Sequence, residues 1–150
     1  MALLRDRGVP AGSFDELHAF MQSWLGRTIR IEHLDTGAGS VCGLWVGLQS
    51  GSADVIFADL SSPHWRQTVA HEWGHMLCGH ASAAETAAVL QELTPLLPAR
   101  AVEFALARQC FTDPQEQDAE AVGDAICLRL LAIEYQQAQG ATLGGFGRLL

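Results

Sequence analysis

Strand-like segments early in the chain and helical ones after them predict an α+β fold, a small antiparallel sheet packed on a helical layer. Three observations carry this. Thr28 to Leu34 sets Ile29 and Ile31 against Arg30 and Glu32, the period-two alternation of a half-buried strand. Two further strand-like runs, Val41 to Leu48 and Asp54 to Ala58, flank the turn-forming Gln49-Ser50-Gly51-Ser52 and suggest a hairpin. From residue 62 onward the apolar residues recur at helical spacing, punctuated by prolines and glycines.

In chain order, residues 14–25 form an amphipathic helix with Phe14, Leu17, Phe20, Met21 and Trp24 on its apolar side, a core-facing stripe. The strand to Leu34 follows, then a turn at Gly37-Ala38-Gly39-Ser40 and the hairpin. A helix over 62–78 is expected to start at Ser61-Ser62-Pro63, with a serine N-cap and proline in the first turn. Its apolar stripe is Val69, Trp73, Met76 and Leu77, and Gly79 stops it. Helical segments at about 83–93 and 99–109 are separated by Pro95 and Pro98. A last helix covers about 114–138, with Asp113 as N-cap and Pro114 opening it. Residues 1–139 read as one domain. Residues 140–150 carry four glycines without polar–apolar period and read as a mobile tail or docking segment.

Composition narrows the function. The chain has 150 residues, 49% of them hydrophobic, enough for a real core, yet no continuous apolar run of membrane length. Met1-Ala2-Leu3-Leu4-Arg5-Asp6-Arg7 places charges where a signal peptide needs apolar residues, so a cytoplasmic location is expected. Cys42, Cys78, Cys110 and Cys127 form no CxxC pair and fit reduced, buried thiols. A net charge of −8, with nine scattered Lys and Arg, argues against direct nucleic-acid binding and leaves a basic protein substrate open.

The residues that carry chemistry lie in His71-Glu72-Trp73-Gly74-His75, an HExxH pattern inside the 62–78 helix. Positions i and i+4 of a helix share a face, so His71 and His75 can offer their imidazoles to one ion. Glu72 projects beside them, placed to take a proton from the attacking water rather than to bind metal. This is the pattern of a zinc hydrolase, and nitrogen and carboxylate ligands also suit Mn2+.

A catalytic zinc usually has three protein ligands. The metzincin pattern fails, because Cys78 and Ala81 occupy its glycine and histidine positions. His80 is expected to cap last-turn carbonyls or to pack, and Cys78 to be a small buried residue about 10 Å of helix rise from His71. The remaining source is Thr112-Asp113-Pro114-Gln115-Glu116-Gln117-Asp118-Ala119-Glu120. Glu116 and Glu120 share one face, and Ala119, Ala121, Gly123 and Ala125 would let this helix approach the histidine helix closely. Glu116 is expected as the third ligand and Glu120 as the carboxylate that orients a ligating imidazole, with the reverse as alternative. A capping-box role, at N3 after Asp113, is the structural reading that competes for Glu116. Asp118 points off that face. His64 and Arg66 lie near the site helix, His64 as a surface residue.

Together these segments resemble the ImmA/IrrE family of metallopeptidases, gluzincin-like HExxH zincins. The likeness rests on Thr68-Val69-Ala70-His71-Glu72-Trp73-Gly74-His75-Met76-Leu77-Cys78-Gly79-His80 and on Asp113-Pro114-Gln115-Glu116-Gln117-Asp118-Ala119-Glu120-Ala121. The strands Cys42 to Val46 and Ala53 to Phe57 are similar to those that precede the motif in the family, and the likeness spans roughly residues 14–132. Trp73 stands where the family has an aliphatic residue, Gly123-Asp124 where it has small apolar ones, and the family's Leu-Met-Pro ending is absent. The resemblance implies a zincin-like domain and a zinc-dependent endopeptidase. It implies Glu116 as ligand and Glu72 as general base. It further implies regulatory, site-specific cleavage of a helix-turn-helix repressor of a phage or mobile element, or of one controlling a stress response. The competing readings are a metal-containing, non-catalytic module that binds a transcription factor or antitoxin, and a structural zinc domain closed by His80 or Cys78.

Overall fold

The computed structural model describes residues 2–33, 43–47, 53–80 and 112–146, with 140–146 described for backbone only. The expected turn at 37–40, the loop at 49–52, the helices at 83–93 and 99–109, and Cys42 and Cys110 lie outside the described residues. The described elements are α1 (Ala2–Asp6), α2 (Phe14–Leu25), β1 (Thr28–His33), β2 (Gly43–Gly47), β3 (Ala53–Ala58), α3 (Trp65–Cys78) and α4 (Asp113–Phe146). None of the described helices is long and apolar enough to cross a membrane.

The fold is α+β, with a small three-stranded sheet packed against helices. The sheet is mixed, which corrects the expectation of an antiparallel one. Its order is β1-β3-β2, with β1 parallel to β3 and β2 antiparallel to it. The expected adjacency of β2 and β3 holds, in the register Trp45↔Ile56. β3 is the most apolar strand, with Val55, Ile56 and Ala58 buried, so it takes the centre and both others pair with it. β1 and β2 run in opposite directions on either side of β3, so β3 is antiparallel to only one of them. Alternation within each strand carries no information about that order.

α2 spans the expected residues because both ends are fixed locally. Ser13 accepts from the Glu16 backbone N–H, and the Glu16 carboxylate returns to the Ser13 N–H, a capping box. Gly26 ends the helix in the left-handed conformation at φ 65°. Leu17 and Met21 are buried, while Phe14, Phe20 and Trp24 pack on the core's margin.

α3 starts later than expected. Asp59 Oδ1 accepts from both the N–H and the hydroxyl of Ser61, holding Ser61 to His64 in turns, and the helix begins at Trp65. His64 stands at the N-cap without a side-chain capping bond of its own, while the expected serine acts one turn earlier: the Ser62 hydroxyl accepts from the His64 N–H at 3.2 Å. The expected stripe of Val69, Trp73, Met76 and Leu77 is buried. Trp73 stacks on Phe14 at a centroid distance of 5.0 Å, fastening α3 to α2.

α4 is longer than expected and runs through Gly140 to Phe146. Small residues set its approach to α3. A Cβ on Gly74 would lie 2.9 Å from Ala119 Cα and closer still to the Ala119 carbonyl oxygen. A Cβ on Gly123 would lie 3.0 Å from the His71 backbone N and Cα. Backbone therefore meets backbone where these helices cross. Arg66 bridges them farther along by its ion pair to Glu134 at 3.0 Å.

Candidate metal centre

The crossing of α3 and α4 brings His71, His75 and Glu116 together. Their ligating atoms all lie within 4.8 Å of one another. The two Nε2 atoms are 3.1 Å apart. Glu116 places one carboxylate oxygen 3.3 Å from His71 Nε2 and the other 3.6 Å from His75 Nε2. A tetrahedral zinc with bonds of about 2.0–2.2 Å needs its ligand atoms about 3.3 Å apart. The nitrogen pair and each nearest oxygen lie close to that value, each nitrogen meeting a different Glu116 oxygen, so these residues could hold a metal ion. The donor set, two imidazoles and a carboxylate, suits zinc and also manganese.

Glu116 is available because the start of α4 is capped by other residues. The Glu116 N–H donates to the Thr112 carbonyl at 3.0 Å, closing the first helical turn. Gln115 then reaches back, its Oε1 accepting from the Thr112 N–H at 3.0 Å. The cap is thus Thr112 and the reciprocal residue Gln115, one position earlier than Asp113 and Glu116. The capping role that competed for Glu116 falls to Gln115.

The far nitrogen of each imidazole has its own partner. His71 Nδ1 lies 3.1 Å from a Glu120 carboxylate oxygen, the orienting position expected for Glu120. His75 Nδ1 lies 2.9 Å from His80 Nδ1. His80 therefore packs against a histidine of the group, as the expectation of packing allowed, but at a chemically specific nitrogen. Its backbone N–H also donates to the His75 carbonyl at 3.0 Å, beside Gly79 at φ 76°. The signal in sequence is the glycine four residues past His75: a left-handed residue there folds the next side chain back over the last turn.

Glu72 occupies a different position. It is buried, and the Trp45 backbone N–H of edge strand β2 donates to its carboxylate. A Cβ on Gly43 would lie 2.9 Å from Glu72 Oε1 and would also collide with Thr68, so β2 meets α3 through a glycine. Burial first, then the neighbouring Glu116 charge, push the Glu72 carboxyl up to about 8. His75 moves the other way. Burial, then His71 and His80, lower it to about 3, which keeps the imidazole neutral, as a metal ligand must be.

An open cleft of about 490 Å³ runs beside the group, lined by His71, Glu116, Gln117, Glu120, Ala121 and Asp124. Asp118 is exposed, off this face, as expected. His64 is exposed, and Arg66 pairs with Glu134 and lies over the Phe14 and Trp65 rings. Cys78 and Cys127 are free and half-buried, and burial raises both thiols. Sequence reading missed Asp54, a fully buried carboxylate 2.9 Å from Arg27, which ties β3 to the residue before β1. Comparison with protein-family models, curated proteins and solved structures finds no match for this chain.

Proposed function

We propose that this chain is a zinc-dependent endopeptidase of the ImmA/IrrE kind, with a zincin-like domain and a regulatory protein substrate. The observation that carries the reading is the pairing of two unlike carboxylates around one histidine pair. Glu116 faces both Nε2 atoms, while Glu72 is held apart against β2 with a raised affinity for a proton. A ligand must be ionised, and a general base works best with a pKa near the working pH. Glu72, shifted toward neutral pH, suits the base, and the position of Glu116 between both Nε2 atoms suits the ligand.

His71 and His75 would hold the ion through Nε2, and Glu116 would complete the protein ligands. Bound zinc would supply Lewis acidity, polarising the scissile carbonyl and lowering the pKa of water to about 7. Glu72 takes a proton from the attacking water as the new C–O bond forms. It returns that proton to the amine nitrogen as the C–N bond breaks. Glu120 holds the His71 ring through Nδ1. β2 is a sheet edge beside Glu72, and an extended peptide can pair with such an edge. The substrate class is a helix-turn-helix repressor or similar protein, met in the cytoplasm; this reading rests on the motif resemblance. Any contact with DNA belongs to the repressor.

Co-expression of the wild type or Glu72→Gln with a candidate repressor tests the proposal. The wild type shortens the repressor, and Glu72→Gln binds it but cleaves it about 10²–10⁴ more slowly. Relief of repression by both proteins, with the repressor intact, identifies a non-catalytic binding module instead.

A further inference from the structure

We infer that His80 is a positioning residue for His75, accepting a hydrogen bond from His75 Nδ1 so that Nε2 stays a bare lone pair aimed at Glu116 and His71. The inference rests on the metal-site reading above. His75 is 1% exposed, so water does not serve its inner nitrogen as it would on a surface histidine. Its Nε2 faces His71 Nε2 at 3.1 Å and Glu116 at 3.6 Å. Its Nδ1 faces His80 Nδ1 at 2.9 Å, with the rings inclined at 60°. Two imidazole nitrogens this close share either a cation or one proton, because two lone pairs or two N–H groups would repel; Glu116 faces the Nε2 pair, which is the cation's place, and the Nδ1 pair is left to share a proton. If His75 Nε2 binds a cation, that proton belongs to His75 Nδ1 and His80 accepts it, carrying its own hydrogen on Nε2.

The backbone explains why His80 can do this from five residues away. Gly79, at φ 76°, turns the chain so that the His80 N–H bonds the His75 carbonyl at 3.0 Å. The His80 side chain then lies over the turn that carries His75. It reaches the nitrogen that points away from Glu116 and His71, the wrong side for a fourth ligand. The two histidines of the group are thus oriented differently, His71 by the Glu120 carboxylate and His75 by an imidazole. A neutral acceptor fixes the ring without adding negative charge in the buried half of the site.

The experiment uses the full chain and zinc alone. Zinc affinity is measured by chelator competition for the wild type, His80→Ala and His80→Asn, with the melting temperature of each metal-free protein alongside. Asparagine puts its amide oxygen where His80 Nδ1 stands, so it can accept the same bond. The expected result is a 10–100-fold loss of affinity in His80→Ala and recovery of most of it in His80→Asn, with little change in melting. In the zinc-loaded wild type, nitrogen NMR should show His75 protonated at Nδ1 and a through-bond coupling from that nitrogen to His80 Nδ1. Absence of that coupling overturns the inference, whatever the variants do. Wild-type affinity in His80→Ala, or equal losses in both variants, overturns it too. Failure of the wild type to bind zinc instead defeats the metal-site reading on which it rests.

Discussion

Burial of Glu72 makes a quantitative prediction for the metal-free protein. Its folded pKa, about 8, lies above the ordinary 4.5, so the folded state holds a proton that the unfolded state releases. A group raised in this way contributes stability fully present below 4.5 and lost as pH rises through 8. The limiting slope is about 1.4 kcal/mol per pH unit, and integrating from pH 5 to pH 7 gives a loss on the order of 2–3 kcal/mol. Glu72→Gln keeps the shape and still accepts from the Trp45 N–H, but it cannot titrate. Urea unfolding of metal-stripped wild type and Glu72→Gln at pH 5 and pH 7 isolates the effect, because shifts at His75 and elsewhere cancel in the difference. The mutant should gain on the wild type by roughly 2–3 kcal/mol between the two pH values. Saturating zinc should shrink that gain, since a cation at Glu116 offsets the second cause of the shift. An unchanged stability difference at the two pH values would refute the claim that Glu72 is buried and protonated.

The helix crossing and the carboxylate roles can be tested by substitution. Gly74→Ala should destabilise by about 1–3 kcal/mol in chemical denaturation, since its Cβ meets Ala119 backbone rather than a yielding side chain. The same substitution should weaken zinc binding, because moving α4 moves Glu116. Metal analysis should find Glu116→Ala nearly devoid of zinc. Glu120→Ala should keep the site with about 10–100-fold lower affinity, and the opposite ranking would exchange their roles.

The sequence carried the α+β class, the extent of α2 and the buried stripe of α3, matters of local periodicity. That Glu116 meets His71 and His75 followed from helix-face chemistry, with Glu120 left as the alternative. The sequence carried the tight crossing as well, through Ala119 and Gly123. Strand order was not legible, since it depends on which strand buries both faces. Helix starts were misread by one to three residues: turns held by Asp59 and Ser62 precede α3, and Thr112 takes the cap expected of Asp113. The role of His80 turns on the left-handed Gly79 beside it, a signal passed over in favour of helix rise, and that of the Trp45 N–H on a contact between distant segments that spacing alone does not give.

Zinc X-ray absorption on the loaded wild type tests the central claim most directly: one ion held by His71, His75 and Glu116 with a fourth position left for water. The account predicts one zinc per chain, two imidazoles, and oxygen donors at about 2.0–2.2 Å, with no sulfur contribution near 2.3 Å. One imidazole should remain after His71→Ala if any metal is retained. A third imidazole or a sulfur in the coordination shell would make the site a closed structural one, with His80 or Cys78 as the added ligand, and would contradict a hydrolytic role.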